Sequence, residues 1–225
     1  MVDVSEQNFE ATIEQALLER GYHARRPQDY DKDLCLIPDD FFDFIFATQP
    51  EEWQIYQDQH GEAAKRRLLR RLGQQIDRRG TVEVLRRGLR DTGCRFQVAY
   101  FVPATGLNPE LQRQYEANRF AVVRQLRYSQ QDTGKSLDLA IFLNGLPIFT
   151  AELKNPLAGQ TVENAIWQYR HQRDPRGEPL FDFERVLAHF AVDPDLVYFT
   201  THLRGPETRF FPFNRGYGTG AGNPP

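Results

Sequence analysis

In the stretch SLDLAIFLNGLPIFTAELKNP, residues 136–156, two apolar runs meet at Asn144-Gly145, yet they carry three ionisable groups, Asp138, Glu152 and Lys154. Two carboxylates brought together repel, so one must take up a proton or a cation must join them. Oxygen ligands of this kind suit a hard divalent cation such as Mg²⁺. Such an ion holds a phosphate oxygen, lowers the pKa of a bound water and neutralises charge developing at phosphorus. Lys154 would add a fixed positive charge beside the attacking water and orient it or help deprotonate it. Asp138 and Glu152 as metal ligands with Lys154 beside them make a set suited to phosphodiester hydrolysis.

Whether the three groups meet depends on strand register. A two-residue turn at Asn144-Gly145 pairs Leu143 with Leu146 and Asp138 with Ala151, which puts Glu152 and Lys154 on the opposite face from Asp138. A three-residue loop, or a bulge at Pro147, which has no N–H to give a ladder, sets Asp138 opposite Glu152 with Lys154 two residues on. Directly opposed residues have Cβ atoms about 5 Å apart, close enough for two carboxylates to share one ion. The second register is the one expected.

The rest of the chain must supply the scaffold. At 225 residues with 40% apolar content it can bury a real core. Ser5 to Gly21 predicts an amphipathic helix with Phe9, Ile13, Ala16 and Leu17 on one face and Glu6, Glu10 and Glu14 along a flank. PDDFFDFIFATQP reads as one short apolar element between turns. GEAAKRRLLRRLGQQIDRRG predicts a helix with Ala64, Leu68, Leu72 and Ile76 inward and arginines mostly elsewhere. CRFQVAYFVP, FAVVRQLRYS, RVLAHFAV and DLVYFTTHL read as strands, while NPELQRQYEANR and TVENAIWQYRHQ read as helices. This order predicts an α/β domain over residues 1–213, with a mixed central sheet flanked by helices. The Gly- and Pro-rich residues 214–225 are expected to form a linker toward a further domain.

Composition narrows the classes. A net charge of -3 means that affinity for a polyanion needs a local basic face. No apolar run approaches a membrane span, and the N-terminus lacks the features of a signal peptide, so the chain is expected in the cytoplasm with no membrane partner. Cys35 and Cys94 are expected to be reduced and packed. The five histidines are dispersed, and none is assigned to metal.

The pattern D-x13-E-x-K resembles that of the PD-(D/E)xK nucleases, with Leu137-Asp138 in place of Pro-Asp. Of four lysines, against 24 arginines, only Lys154 has an acidic residue two positions before it. The blocks FEATIEQALLERGY, AAKRRLLRRLGQQIDRRGTVEVLRRG, GLNPELQRQYEANRFAVVRQLRYS, KSLDLAIFLNGLPIFTAELKNPLAGQTVENAIWQYRHQRDPRGEPLF and AHFAVDPDLVYFTTHLRGPETRFFPFN further resemble the N-terminal region of the R subunit of type I restriction enzymes. That resemblance implies a restriction-endonuclease-like fold and a Mg²⁺-dependent nuclease domain joined to an ATP-driven motor. Its implied partners are double-stranded DNA and the methylation and specificity subunits of the complex. By the same resemblance Asp138 and Glu152 match the metal-binding acids, Lys154 the catalytic lysine and Glu10 an acid near the metal, with Glu14 its rival. Gln168 matches the first position of a Gln-x-x-x-Tyr motif. Gln172 stands where the tyrosine would be, so that role is lost or falls to Arg170 or Arg173. No G-x-x-x-x-G-K-[ST] motif is present, so ATP concerns only the full-length protein.

Two alternatives stand beside this expectation: a related nuclease of another DNA-processing system, and a non-catalytic DNA-binding or assembly module. The arginines between Arg66 and Arg95 have three readings, a solvated helix, contacts to DNA phosphates, or a docking surface for the motor.

Overall fold

In the computed structural model, which describes residues 6–214, the chain runs α1 (Glu6–Leu18), β1 (His23–Arg25), α2 (Pro38–Thr48), α3 (Pro50–His60), α4 (Ala64–Arg79), α5 (Thr81–Arg87), β2 (Leu89–Asp91), β3 (Cys94–Phe96), α6 (Pro109–Glu116), β4 (Phe120–Leu126), β5 (Leu137–Leu143), β6 (Leu146–Leu153), α7 (Val162–His171), β7 (Ala188–Val192), β8 (Val197–Thr200) and β9 (Phe211–Pro212). Seven strands form one sheet in the order β1-β4-β5-β6-β7-β8-β9. β1 lies parallel to β4 and β6 parallel to β7, while the other neighbours are antiparallel. The sheet is therefore mixed and flanked by helices, compatible with a restriction-endonuclease-like fold. Ser5 and residues 215–225, the proposed cap and nearly all of the proposed linker, lie outside the described residues.

Period-two alternation sorts the central strands onto two faces. Val122, Leu139, Ala151 and Leu153 pack against Phe9, Ile13, Leu17 and Leu18 of α1. Ala121, Val123, Ala140 and Phe142 point the other way and meet Ile37, Tyr169, Phe181 and Val186. The helices α2 to α5 form a separate layer whose core, including Phe41, Phe44, Leu68, Leu72 and Ile76, closes over Leu146 and Ile148 at the turn end of the β5–β6 hairpin. The opposite end of that hairpin carries Asp138 and Glu152.

The hairpin combines both devices weighed from the sequence. Its turn has two residues, with Leu143 opposite Leu146 and Phe142 opposite Pro147. The ladder then slips, so that Ile141 faces Phe149, Ala140 faces Thr150 and Leu139 faces Ala151. Ile148 is the extra residue, next to the proline that cannot donate to the ladder. One step beyond Leu139–Ala151, Asp138 and Glu152 come opposite each other. The shift thus comes from a bulge beside Pro147, and the loop is no longer than Asn144-Gly145.

Asn144 and Gly145 have φ of 50° and 79°, the left-handed pair that a tight hairpin turn of this hand requires. The turn is fully buried at Asn144, whose Oδ1 accepts from the Arg119 N–H at 2.7 Å and whose Nδ2 donates to the Val98 carbonyl at 2.9 Å. A Cβ on Gly145 would stand 2.3 Å from the Ile37 carbonyl oxygen and 3.0 Å from the Phe41 nitrogen. Gly145→Ala is expected to destabilise the domain by at least about 2 kcal/mol, from backbone clash plus positive φ. A denaturant midpoint equal to that of the wild type would show that the turn tolerates a side chain.

Several expectations need correction. CRFQVAYFVP contributes only Cys94–Phe96 as strand, in a two-stranded ribbon with β2 outside the main sheet. DLVYFTTHL is strand only over Val197–Thr200, and just Thr200 of that strand is buried, because β8 is followed only by the short β9. The apolar element in PDDFFDFIFATQP is the helix α2, and α3 behind it is unforeseen: its buried residues are Trp53 and Tyr56 alone, too few for a clear period. Cys35 and Cys94 are free and buried. No helix among the described residues is long and apolar enough to cross a membrane.

Candidate active site

Asp138 stands near the start of β5, and its Oδ2 accepts the Leu153 N–H at 2.8 Å. Glu152, fully buried, is the penultimate residue of β6. Lys154 follows β6 directly, is 4% exposed, and extends the parallel pairing through its own N–H to the Val192 carbonyl at 2.8 Å. Because residues alternate faces, Glu152 and Lys154 share the face that Asp138 reaches through the bulged register. Asp138 pushes the Glu152 carboxyl up and Lys154 pulls it down, so the two charges act on it in opposite senses.

Glu10 reaches this group from α1. Phe9 and Ile13 pack the helix on the sheet, and Glu10 is carried down to 3% exposure between them. Contact is made through Gln125. The β4–β5 ladder passes from Arg124–Leu139 to Leu126–Leu137, leaving Gln125 out of the pairing with φ of 50°. Its Nε2 donates to Glu10 Oε1 at 2.9 Å and to Asp138 Oδ1 at 3.3 Å, while its Oε1 accepts from Ser136 Oγ at 2.8 Å. Glu14, the rival candidate, is turned to Arg124 at 3.2 Å, and Arg124 also lies 3.5 Å from Glu10 Oε2.

The α7 side contributes a different residue from the one expected. Gln168 makes no side-chain hydrogen bond to Asp138, Glu152 or Lys154 among the described residues, and its buried Oε1 has no partner there. Five residues on, past the end of α7, the Arg173 Nε donates to Glu152 Oε1 at 2.6 Å and its Nη2 to the Ser136 carbonyl at 2.9 Å. The guanidinium lies over the Tyr128 ring, 5.7 Å from its centroid. Arg170 instead holds the Thr208 carbonyl. Tyr169 is fully buried beneath the site, its hydroxyl 2.9 Å from Thr150 Oγ1, which also meets His189 Nδ1 at 2.7 Å. Burial pulls His189 down to about 3, so it stays a neutral core histidine.

Burial is the chief influence on Glu152 and pushes its carboxyl up to about 8; Asp138 adds to this, and Arg173 and Lys154 oppose it. The 2.6 Å contact with an always-charged guanidinium nonetheless argues for an ionised carboxylate in the paired state. Burial likewise raises Glu10, with Asp138 adding to it and Gln125 and Arg124 opposing. Glu10 Oε2 and Glu152 Oε2 are buried and lack hydrogen-bond partners among the described residues. Three carboxylates with two such oxygens are a donor set that fits a hard cation. No three such side chains already converge on a common point among the described residues. Gln125 and Arg173 meet part of their charge instead.

Sequence reasoning missed Gln125 and named Arg173 only as one possible heir to a missing tyrosine. The one trace of Gln125 is its place in FAVVRQL, where it follows Arg124 and breaks the apolar alternation.

A comparison with curated proteins found no match. A family model, type I restriction enzyme R protein N terminus, matches residues 44–208. The matched stretch contains Asp138, Glu152, Lys154, Gln168 and Arg173 but not Glu10. With most of its length covered, including the whole hairpin, the chain belongs to the family of type I restriction enzyme R protein N termini.

Proposed function

We propose that this domain is the metal-dependent endonuclease of a type I restriction R subunit, hydrolysing phosphodiester bonds of duplex DNA delivered by ATP-driven motor domains elsewhere in the full-length protein. Methylation and specificity subunits are the partners this assigns to it, and the cytoplasm the compartment. The observation that carries the reading is the bulge beside Pro147, which sets Asp138 opposite a buried Glu152 with an unpartnered oxygen.

Asp138 and Glu152 would hold a divalent cation such as Mg²⁺, with Glu10 closing the site from α1. When bound, the ion supplies Lewis-acid polarisation of a phosphate oxygen and lowers the pKa of water at the site. Lys154, held at the end of β6, keeps a positive charge next to Glu152 and orients the attacking water toward phosphorus. Gln125 fixes the Glu10 and Asp138 carboxylates relative to each other, and the Leu153 N–H holds the second Asp138 oxygen, so the acids are positioned before substrate arrives.

Binding of Mn²⁺ to the 225-residue chain, followed by electron paramagnetic resonance, tests the metal site. Asp138→Ala and Glu152→Gln are each expected to weaken it at least about tenfold. Wild-type affinity in both variants would remove these two residues from any metal site.

A further inference from the structure

Away from the hairpin, α4, α5 and the β2–β3 ribbon enclose a recess of about 420 Å³ lined by Arg71, Gln75, Arg79, Arg86, Arg87, Gly88, Arg90 and Arg95. Six guanidinium groups from three elements converge there, in a chain whose net charge is -3. Some of this charge is balanced: Arg71 lies 3.8 Å from Asp91, and Arg87 pairs with Glu83. Arg79, Arg86, Arg90 and Arg95 have no ion pair among the described residues. Arginines in the last turns of α4 and α5 serve the helix ends in part, but Arg71, Arg90 and Arg95 are not at helix ends.

Neutral oxygens hold two of these arginines as well. Arg71 Nε donates to the Arg90 carbonyl at 3.1 Å; Arg79 Nη1 donates to the Gly88 carbonyl at 3.3 Å and to Gln75 Oε1 at 3.0 Å. Gly88, with φ of 66°, lets the chain turn from α5 into β2 so close to β3 that a Cβ would stand 2.2 Å from the Phe96 carbonyl oxygen. That turn brings the arginines at the end of α5 and on the ribbon against the outer side of α4. A surface built for protein docking would mix apolar groups with charge; this lining is nearly all planar guanidinium, the group that forks onto phosphate oxygens.

We propose that this recess binds backbone phosphates of duplex DNA, as a positioning contact separate from the hairpin site. The proposal rests on the reading of the domain as a DNA-cutting module. The recess stands on the α2–α5 layer, whose core packs on the turn end of the hairpin, and Asp138 lies at the other end of β5. Contacts of this kind fix register without reading sequence.

Fluorescence anisotropy of a 30-base-pair duplex of arbitrary sequence, titrated with the 225-residue chain in EDTA at several salt concentrations, provides the test. Arg86→Ala combined with Arg90→Ala removes two exposed guanidinium groups that make no side-chain hydrogen bond or ion pair among the described residues. Their loss is expected to weaken binding at least tenfold at low salt and to reduce the slope of log K against log salt by about 1.8, at about 0.9 per phosphate contact. Arg26→Ala with Arg113→Ala, which changes net charge equally elsewhere, is expected to shift affinity less than threefold. An effect no larger than that control, or no effect in a variant that melts like the wild type, overturns the proposal and leaves the face to protein docking. If the alanine pair melts lower, Arg86→Lys with Arg90→Lys keeps charge but loses the fork, and unchanged duplex affinity there also counts against it. Competition by inorganic phosphate or ATP at micromolar concentration, with no duplex binding at the recess, would mean a small-anion site and also overturns it. Glu152→Gln should lose Mn²⁺ while keeping duplex affinity, so failure of the nuclease reading and failure of the recess are separable.

Discussion

Replacing Asp138, Glu152 or Lys154 in the assembled type I complex is expected to abolish DNA cutting while ATP hydrolysis and translocation continue. A reduction in cleavage of at least about 10³-fold, roughly 4 kcal/mol of lost transition-state stabilisation, is the scale for removing a preorganised charge from such a site. ATP turnover should be spared because this chain has no phosphate-cradling G-x-x-x-x-G-K-[ST] loop of its own. The choice of substitution matters. Asp138→Ala frees the Leu153 N–H as well as removing a carboxylate, and Glu152→Ala leaves Arg173 facing a void. Glu152→Gln keeps the volume and an oxygen that can accept from Arg173, while Lys154→Met keeps the buried stem. These two variants, checked by melting temperature, isolate chemistry from folding. Cleavage within tenfold of the wild type in either, measured beside an unchanged ATPase rate, would sink the assignment. The 225-residue chain alone is expected to cut poorly, since the proposed function assigns delivery of DNA to a motor elsewhere in the full-length protein. Robust sequence-specific cutting by it would point to a different class of nuclease.

The hairpin was legible because its signals were local. Asn144-Gly145 announced the turn, and Pro147 announced the break in the ladder that opposes Asp138 to Glu152. The helices α1, α4, α6 and α7 were legible for the same reason, each carrying its own period or cap, as Asn108 does for α6 by accepting from the Glu110 and Leu111 N–H groups. What stayed hidden depends on tertiary packing. Glu10 and Glu14 are one helical turn apart on the same flank, and only the displaced Gln125 of β4 distinguishes them, by bonding Glu10 while Arg124 takes Glu14. Gln168 and Arg173 lie within one segment, and the exit of the chain from α7 decides which of them meets Glu152. The short ribbon β2–β3 read as part of a longer strand because Arg95 and Gln97 alternate with the apolar Cys94, Phe96 and Val98, although beyond Phe96 the buried Val98 and Ala99 serve the helical layer and make no ladder.

Arg173→Met is expected to lower the melting temperature of the metal-free chain by roughly 10 °C. The variant leaves Glu152 fully buried beside Asp138 with its nearest counter-charge removed, a change of about 3–5 kcal/mol when one partner of a buried pair is deleted, and 2–4 °C per kcal/mol is the scale for a domain of this size. The loss should depend on pH in a defined direction. Burial and Asp138 push the Glu152 carboxyl above its ordinary value of 4.5, and Arg173 is the largest influence holding it down. A carboxyl raised on folding contributes stability that is fully present below the unfolded pKa and lost as pH rises through the folded one. Without the guanidinium the folded value rises, so the deficit of the variant is small near pH 5, where the unpaired Glu152 takes up a proton, and grows toward pH 9, where it is ionised without its partner. The other groups facing Glu152, namely Asp138, Lys154, Tyr128 and Tyr169, are common to both proteins and cancel in the comparison. Mn²⁺ should bind the variant more tightly than the wild type and restore more of its stability, because the site is one unit more negative and the Glu152 oxygen that Arg173 occupied is released. Glu152→Gln combined with Arg173→Met should recover most of the loss without metal. A variant that melts like the wild type from pH 5 to 9 and takes up Mn²⁺ no more tightly would make the guanidinium a bystander. The opposite result would make Arg173 the resident cation of the site, holding in the metal-free protein the carboxylate that a divalent ion takes over.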